Sequence, residues 1–580
     1  MKRFFILVLM VVACICTAIA QNDRNNGMEQ VGNEPRQGFP GGQNGFPGGQ
    51  GVIPGGGFPG FPPGGPGGPG GPWMMDFKAI DNFGVEFNNE FLVENEEVIV
   101  DKNDSTSFYF VESQRFDHKI FINYSGNDIE VKGIYPDCMK LIHDGADVSI
   151  KCEGANMEFE LSGMSDDGSF TISSDKSVKI VLNGLDLKSK KGDVIKTEGK
   201  SPTYIVLAKG STNSLEDKFT AVVRETQGFQ MPSKEDNYEK EIINGIEVRK
   251  SVNRAKAKNN EPKTDGVITS NGILCFSGNG LLNLKGHNKN GIKSKQTIVM
   301  RAGNQINIEV TQGKGLSAKG DILIYGGVLN VDGSDSGKDG IRSDNCIYIS
   351  GGRTVVKASG AESSEGIEAK YNIIISGGTV EVASFDDGIN SGGNLIVSGG
   401  KLFVSSVFND ALDSNSNLII SGGHVVAYGG GAPECGLDAN EEEGYSLYIN
   451  GGTVFSCGGM PTRTDKQSRQ SSIIYTPESV DSGMVYSLED SKKSFMLMRC
   501  IRKYDRGGSL LFSSPGLETG KSYEIHTGNS NTSAAEFHGT WTDGKTGGKK
   551  TEIIEELTAP YTMIGNEMHV PGPMPMFRSE

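Results

Sequence analysis

The chain has 580 residues, 81 of them glycine and 22% charged, with a formal net charge of −16 at pH 7. That acidic balance, with no basic stripe able to neutralise phosphates, argues against a nucleic-acid partner and favours solubility and cation binding. Length alone allows several domains, but helical periodicity is hard to find along the chain.

Residues 1–20 carry Lys2 and Arg3, an apolar core and Ala18-Ile19-Ala20 before Gln21, the pattern of a signal peptide. The mature protein is therefore expected to be secreted or held at the cell surface. A weak lipobox ending at Cys14 offers lipid attachment as the alternative. No later stretch is apolar enough for a transmembrane segment. Residues 21–75 are a Gly/Pro-rich tract without the G-X-Y period of collagen, which reads as a disordered linker.

Ordered sequence follows. Residues 76–216 contain short alternating runs such as Phe108-Tyr109-Phe110-Val111, Ile120-Phe121-Ile122 and Tyr204-Ile205-Val206-Leu207, read as an N-terminal cap and early coils of a solenoid. Residues 217–264 form a charged insertion without a sustained period. Residues 265–459 then repeat one unit: an acidic residue, Gly, an aliphatic residue, a short run, I-x-I-S-G-G and x-V-x-V. Its anchors Gly266, Gly291, Gly315, Gly340, Gly366, Gly388, Ala411 and Gly436 recur at about 24 residues.

Within each unit the apolar residues alternate, and the S-G-G step marks a bend between strands. Coils of this length, stacked about 4.8 Å apart, predict an all-β right-handed parallel β-helix. Its inward ladders are Ile324, Ile349, Ile375, Val397, Ile420 and Ile449 on one wall, and Val331, Val356, Val382, Val404 and Ala427 on the next. Residues 460–560 lose the corners and predict a C-terminal β cap, and 561–580 a tail. Of nine cysteines, Cys138, Cys152, Cys275, Cys346, Cys435, Cys457 and Cys500 follow the signal. They read as buried free thiols, with a Cys435/Cys457 pair as the alternative. The histidines, His287 and His424 among them, read as surface or turn residues.

Three segments carry a family resemblance: Ile172 to Asp217 with its V-L-N-G-L-D-L and V-L-A-K-G-S-T-N-S-L pieces, Gly272 to Leu284, and the repeated D-G-I with I-x-I-S-G-G. They resemble the bacterial secreted carbohydrate-binding domain-containing proteins, from about Ile120 to about Thr527. The resemblance implies a parallel β-helix similar to polysaccharide lyases, surface calcium ions and a polysaccharide partner, including acidic and plant-cell-wall types.

If the aliphatic residue after each anchor points inward, Glu368, Asn390, Asp413 and Asp438 point outward and stack in one column. Glu365, Asp386, Asp387, Asn409, Asp410 and Glu434 crowd the preceding turn. Hard oxygen ligands without His or Cys suit Ca²⁺ better than zinc. The alternative is that these short polar side chains only cap turns. Upstream, Lys293 and Arg342 occupy the column and Lys314 the turn, which places the expected metal ligands in the coils from Glu365 to Asp438.

For carbohydrate, Tyr348, Phe403, Tyr448 and Phe455 fall on outward strand positions where a ring could stack on a sugar. Those positions, with Leu323, Ile374, Val355 and Val426, are apolar enough that the insertion or the terminal cap covering them is the competing reading. Lys338, Arg342 and Lys370 are placed to meet the carboxylates of an acidic polysaccharide. Lys370 and Lys338 are also the sole candidates for the base of a lyase, and no catalytic set is otherwise legible. The expected function is calcium-dependent binding of polysaccharide by a monomer. A uronan lyase and a non-catalytic adhesin or matrix protein are the alternatives.

Overall fold

The computed structural model describes residues 107–218, 238–243, 246–251, 264–360, 363–490, 494–504, 508–528, 537–544 and 547–566. The segments read as a signal peptide or Cys14 anchor, the Gly/Pro-rich tract, the start of the N-terminal cap up to residue 106, the end of the tail beyond 566 and most of the charged insertion lie outside the described residues. Within the insertion, Tyr238–Ile243 and Ile246–Ser251 pair as an antiparallel hairpin.

Alternation of apolar residues broken by glycine corners gives what it predicts. The protein is all-β, 2% helical, with a β-solenoid of about 11 turns across residues 146–457. Each coil adds one strand to each of three walls. In one coil these are Ile347–Ile349 in the first wall, Arg353–Ala358 in the second and Ile367–Ala369 in the third.

Neighbouring coils pair in parallel and in register, so like meets like. Ile349, Ile375, Val397 and Ile420 align in the first wall. Val356, Val382, Val404 and Ala427 align in the second, and Ile341, Ile367, Ile389, Leu412 and Leu437 in the third. All are buried in one continuous core. Each such side chain contributes roughly 1.5–3 kcal/mol by leaving water, and no coil can gain it without neighbours.

The corner between the first two walls needs its second glycine. Gly378 has φ +78°, and a Cβ there would meet the Gly351 carbonyl carbon and the Gly352 oxygen of the coil below at 2.7 Å. An L side chain would meet both the backbone penalty and the clash.

Antiparallel strands close both ends, where an open coil would expose unpaired backbone. At the N-terminal end Asp128–Gly133 pairs with His118–Ser125, and Met139–Asp144 with Ala146–Cys152. At the C-terminal end Ser509–Ser513 pairs with Val454–Gly458 of the last coil and with Ser472–Thr476. A five-stranded antiparallel sheet follows. The cap folds back over the second wall, where Val355, Phe403, Val426 and Phe455 join Met498, Cys500 and Phe512 in a second core. The cover expected for this apolar wall is therefore the C-terminal cap.

His424 is not a free surface residue: its ring lies between Phe455 and Phe537, and its Nε2 is 3.0 Å from the Thr540 hydroxyl. Burial, helped by Lys401, lowers its pKa to about 4. The seven described cysteines are free thiols, with the Cys138 and Cys152 sulfurs 3.4 Å apart. Among the described residues no helix is long and apolar enough to cross a membrane.

Gly378→Ala is expected to destabilise the protein by about 1–3 kcal/mol, read as a lower denaturation midpoint in urea. An unchanged midpoint would mean that the corner tolerates a side chain.

Candidate functional site

The site grows from the turn that joins the second wall to the third. Each third-wall strand from Ile341 onward is entered through a glycine, or Ala411 in one coil, pressed against the core: a Cβ on Gly388 would lie 2.0 Å from Cγ1 of Val404. The residue before it therefore stands at the rim, and the second residue after it faces out. In-register pairing turns both positions into columns. Arg342, Glu368, Asn390, Asp413 and Asp438 are successive partners on the outer face of the third wall. Asp339, Glu365, Asp387 and Asp410 are the corresponding rim residues.

Two triads of carboxylates result, Asp339–Glu365–Glu368 and Asp410–Asp413–Asp438, each with ligand oxygens within 4.8 Å of one another. Either triad could hold a metal ion. They differ in compensation. Lys314 and Arg342 both pair with Asp339, and Arg342 also pairs with Glu368, so three negative charges face two positive ones. Among the described residues no basic side chain forms an ion pair with Glu365, Asp386, Asp387, Asp410, Asp413, Glu434 or Asp438. Two unit charges 4 Å apart repel by about 1 kcal/mol in water and about 4 kcal/mol at an effective dielectric of 20.

Amides and backbone N–H groups absorb part of this charge. Asn390 donates from Nδ2 to Asp387 Oδ2 at 2.8 Å and to Glu365 Oε1 at 3.3 Å. Asn409 donates to Asp386 Oδ1 at 3.0 Å. Asp387 Oδ1 accepts the Asp410 N–H at 3.1 Å, and Asp410 Oδ1 accepts the Cys435 N–H at 2.6 Å. Turn capping is thus real: a backbone N–H occupies one oxygen of Asp387 and one of Asp410. It does not reach Asp413, and Glu365 Oε2 is a buried oxygen with no hydrogen-bond donor.

The electrostatic consequence is protonation. Burial first, then Glu368 and Asp339, raises Glu365 to about 9. Burial, then Asp387 and Asp438, raises Asp413 to about 8. Asp387 and Asp410 rise to about 7 and Asp438 to about 6, burial again leading. Glu368 and Glu434 are raised for the same reason. At neutral pH such a column needs either protons or a cation.

The expected carbohydrate-binding residues fare unevenly. Phe403 is 1% exposed beneath the cap, with the His538 ring stacked on it at 3.9 Å, so no sugar can reach it. Phe455 is buried in the same core. Tyr348 is half-buried beside Tyr204, Cys275, Val299 and Leu323, under the N-terminal segment that carries Tyr109, Val111 and Phe116. Tyr448 is half-buried on the first wall. Arg342 is taken up by Asp339 and Glu368 rather than facing outward to a ligand. Lys370 pairs with Asp344 at 2.9 Å, and Lys338 is exposed on the turn before Asp339.

Asp339 was not among the expected ligands, because Lys314 and Arg342 mark its coil as basic, yet its D-G-I is the same signal as in later coils. Phe385 and Phe408, in the turns before Asp387 and Asp410, were also not anticipated. Their positions lie between strands, where periodicity has nothing to say.

A model of the family described as carbohydrate-binding domain-containing protein matches residues 144–431. A solved polysaccharide lyase-like protein from C. thermocellum, a gadolinium derivative, is similar at 20% identity over 53% of this chain and 93% of that one, with a TM-score of 0.29. None of the curated proteins matches the chain.

The raised carboxyls set a pH dependence. Groups that titrate near 4 when unfolded and between about 6 and about 9 when folded bind more protons in the native state across that window. In chelated buffer the thermal midpoint should therefore fall as pH rises from about 4 to about 9. Asp413→Asn should raise it at pH 8 by roughly 2 °C. A midpoint that holds steady or climbs over this range in a calorimetric pH series would contradict the assignment.

Proposed function

Residues 144–431 belong to the carbohydrate-binding domain-containing family, and from that premise we propose that the chain is an exported, calcium-dependent polysaccharide-binding protein. Its site is the outer face of the third wall from Glu365 to Asp438, and its ligand an acidic or plant-cell-wall polysaccharide. The observation that carries this reading is the uncompensated second triad, Asp410–Asp413–Asp438, with Asp387 beside it.

Calcium fits the donor set. The side chains are carboxylate and amide oxygens from adjacent coils, and Ca²⁺ accepts six to eight such ligands in flexible geometry. Cys435 lies close, its sulfur 3.7 Å from Asp438 Oδ1, but its thiol donates to the Leu437 carbonyl and burial raises its pKa, so it does not add a soft thiolate. Asp387, Asp410, Asp413 and Asp438 would hold the ion, and the ion would offer positive charge to a glycan carboxylate or hydroxyl. Glu368 serves less well, since Arg342 already holds it.

Binding without chemistry is the preferred form of the reading. Lys370 spends its ammonium on Asp344, and Lys338 lies in the turn of the partly compensated first triad. Neither is set by a second residue to remove a proton.

Two measurements test the reading. Titrating the chelated protein with Ca²⁺ at pH 8 should raise its thermal midpoint, by the equivalent of about 2.7 kcal/mol at a hundredfold excess over the dissociation constant. Asp410→Asn/Asp413→Asn should abolish the rise, while Glu368→Gln keeps most of it. The calcium-loaded protein should be retained on polygalacturonate or pectin and released by chelator. Retention that ignores the chelator would remove calcium from the function, and no retention on either polymer would remove the acidic-glycan assignment.

A further inference from the structure

The expected aromatic surface on the strands is covered, and an exposed one lies elsewhere. Phe408 is 66% exposed on the turn between Lys401–Ser406 of the second wall and Leu412–Ser414 of the third. Phe385 occupies the same turn one coil earlier and is 8% exposed. The two rings stack with centroids 5.8 Å apart and planes 9° from parallel. One face of Phe408 therefore rests on Phe385, and the ring stands largely in solvent.

This turn is rigid. The Val407 N–H donates to the Ser384 carbonyl at 3.0 Å, and the Phe408 N–H to the Phe385 carbonyl at 2.9 Å. Ser406 Oγ donates to the Asp386 carbonyl at 2.7 Å and accepts the Asn409 N–H at 3.0 Å. From the C-terminal cap, Arg502 donates to Ser405 Oγ at 2.6 Å and to the Ser406 carbonyl. An aromatic ring held this firmly in water loses little conformational freedom on meeting a ligand. It also adds nothing to the core that a polar residue would spoil.

Its surroundings select the ligand. Phe385 is followed by Asp386 and Asp387, and Phe408 by Asn409 and Asp410, so the stack adjoins the rim of the uncompensated carboxylates. A wholly apolar partner seated there would strip water from those carboxylates at high cost. A pyranose offers the needed combination, an apolar C–H face with oxygens around its edge. We propose that Phe408, backed by Phe385, is the stacking platform on which one sugar ring of the bound polysaccharide lies, its oxygens directed to the cation held by Asp387, Asp410, Asp413 and Asp438. The platform rests on the polysaccharide-binding reading and adds to it the face and orientation of the ligand.

The test uses the full calcium-loaded chain with polygalacturonate and methyl-esterified pectin, and compares Phe408→Ala with Phe408→Trp. Phe408→Ala should weaken binding about tenfold while leaving the calcium-induced rise in thermal midpoint unchanged, and Phe408→Trp should bind at least as well as the parent chain. If the parent binds and Phe408→Ala binds equally, the platform is wrong and the wider reading stands. If the parent binds neither polymer, both fall. A dimer in sedimentation that Phe408→Ala disperses, with glycan affinity unchanged, would assign the ring to a second copy of this chain and overturn the platform.

Discussion

Everything in this protein follows from in-register stacking. A parallel solenoid places each residue one strand spacing, about 4.8 Å, from its equivalent in the next coil, so a chemistry used once is used as a column. For isoleucine and valine this is gain without conflict, since each ladder excludes water along its whole length. For charge it is a conflict, because equal charges directly opposite one another repel and share one desolvated face. The outer face of the third wall shows both ways of handling that conflict.

Up to Glu368, signs alternate. Lys293 meets Asp265, Lys314 and Arg342 meet Asp339, and Arg342 reaches Glu368. Beyond Glu368 the basic residues stop. Asn390 dilutes the charge in one coil, then Asp413 and Asp438 follow without a basic partner among the described residues. The change occurs within a single column of one sheet, so neither wall geometry nor solvent differs across it. Only side-chain identity does, and it leaves the second stretch a group of carboxylates that could hold a cation.

The sequence made the solenoid legible because period and burial are local properties there. Every inward ladder residue named from the repeat is buried, and the glycine corner lies where the spacing put it. Columns were legible for the same reason, since residues one period apart must become neighbours. What was not legible is non-local. Nothing in the repeat says that a segment about a hundred residues downstream returns to cover Phe403, or that 107–117 packs over Tyr204 and Leu323. Arg342 could be placed in the column, but its choice between a ligand and two carboxylates depends on side-chain reach that periodicity does not encode. Phe408 lies in a turn, where neither a period of two nor a burial pattern constrains it.

The C-terminal cap links these levels. Its obvious role is to close the last coil, but its contacts extend further down the second wall to the turns that carry the site. Arg502 donates to Ser405 and Ser406, and also to the Gly429 carbonyl at 3.1 Å. Tyr504 donates to the same carbonyl at 2.7 Å, and the Gly430 N–H donates to Asn409 at 2.7 Å. The turns holding Phe408 and Asp410 are thus fixed from outside the coil as well as from the coils above and below. A column of mutually repelling carboxylates tends to push such turns apart, and a cap bonded to their backbone opposes that movement. The cap therefore does for the turn backbone what a cation would do for the side chains, and the acidic stretch lies in the part of the solenoid that the cap braces.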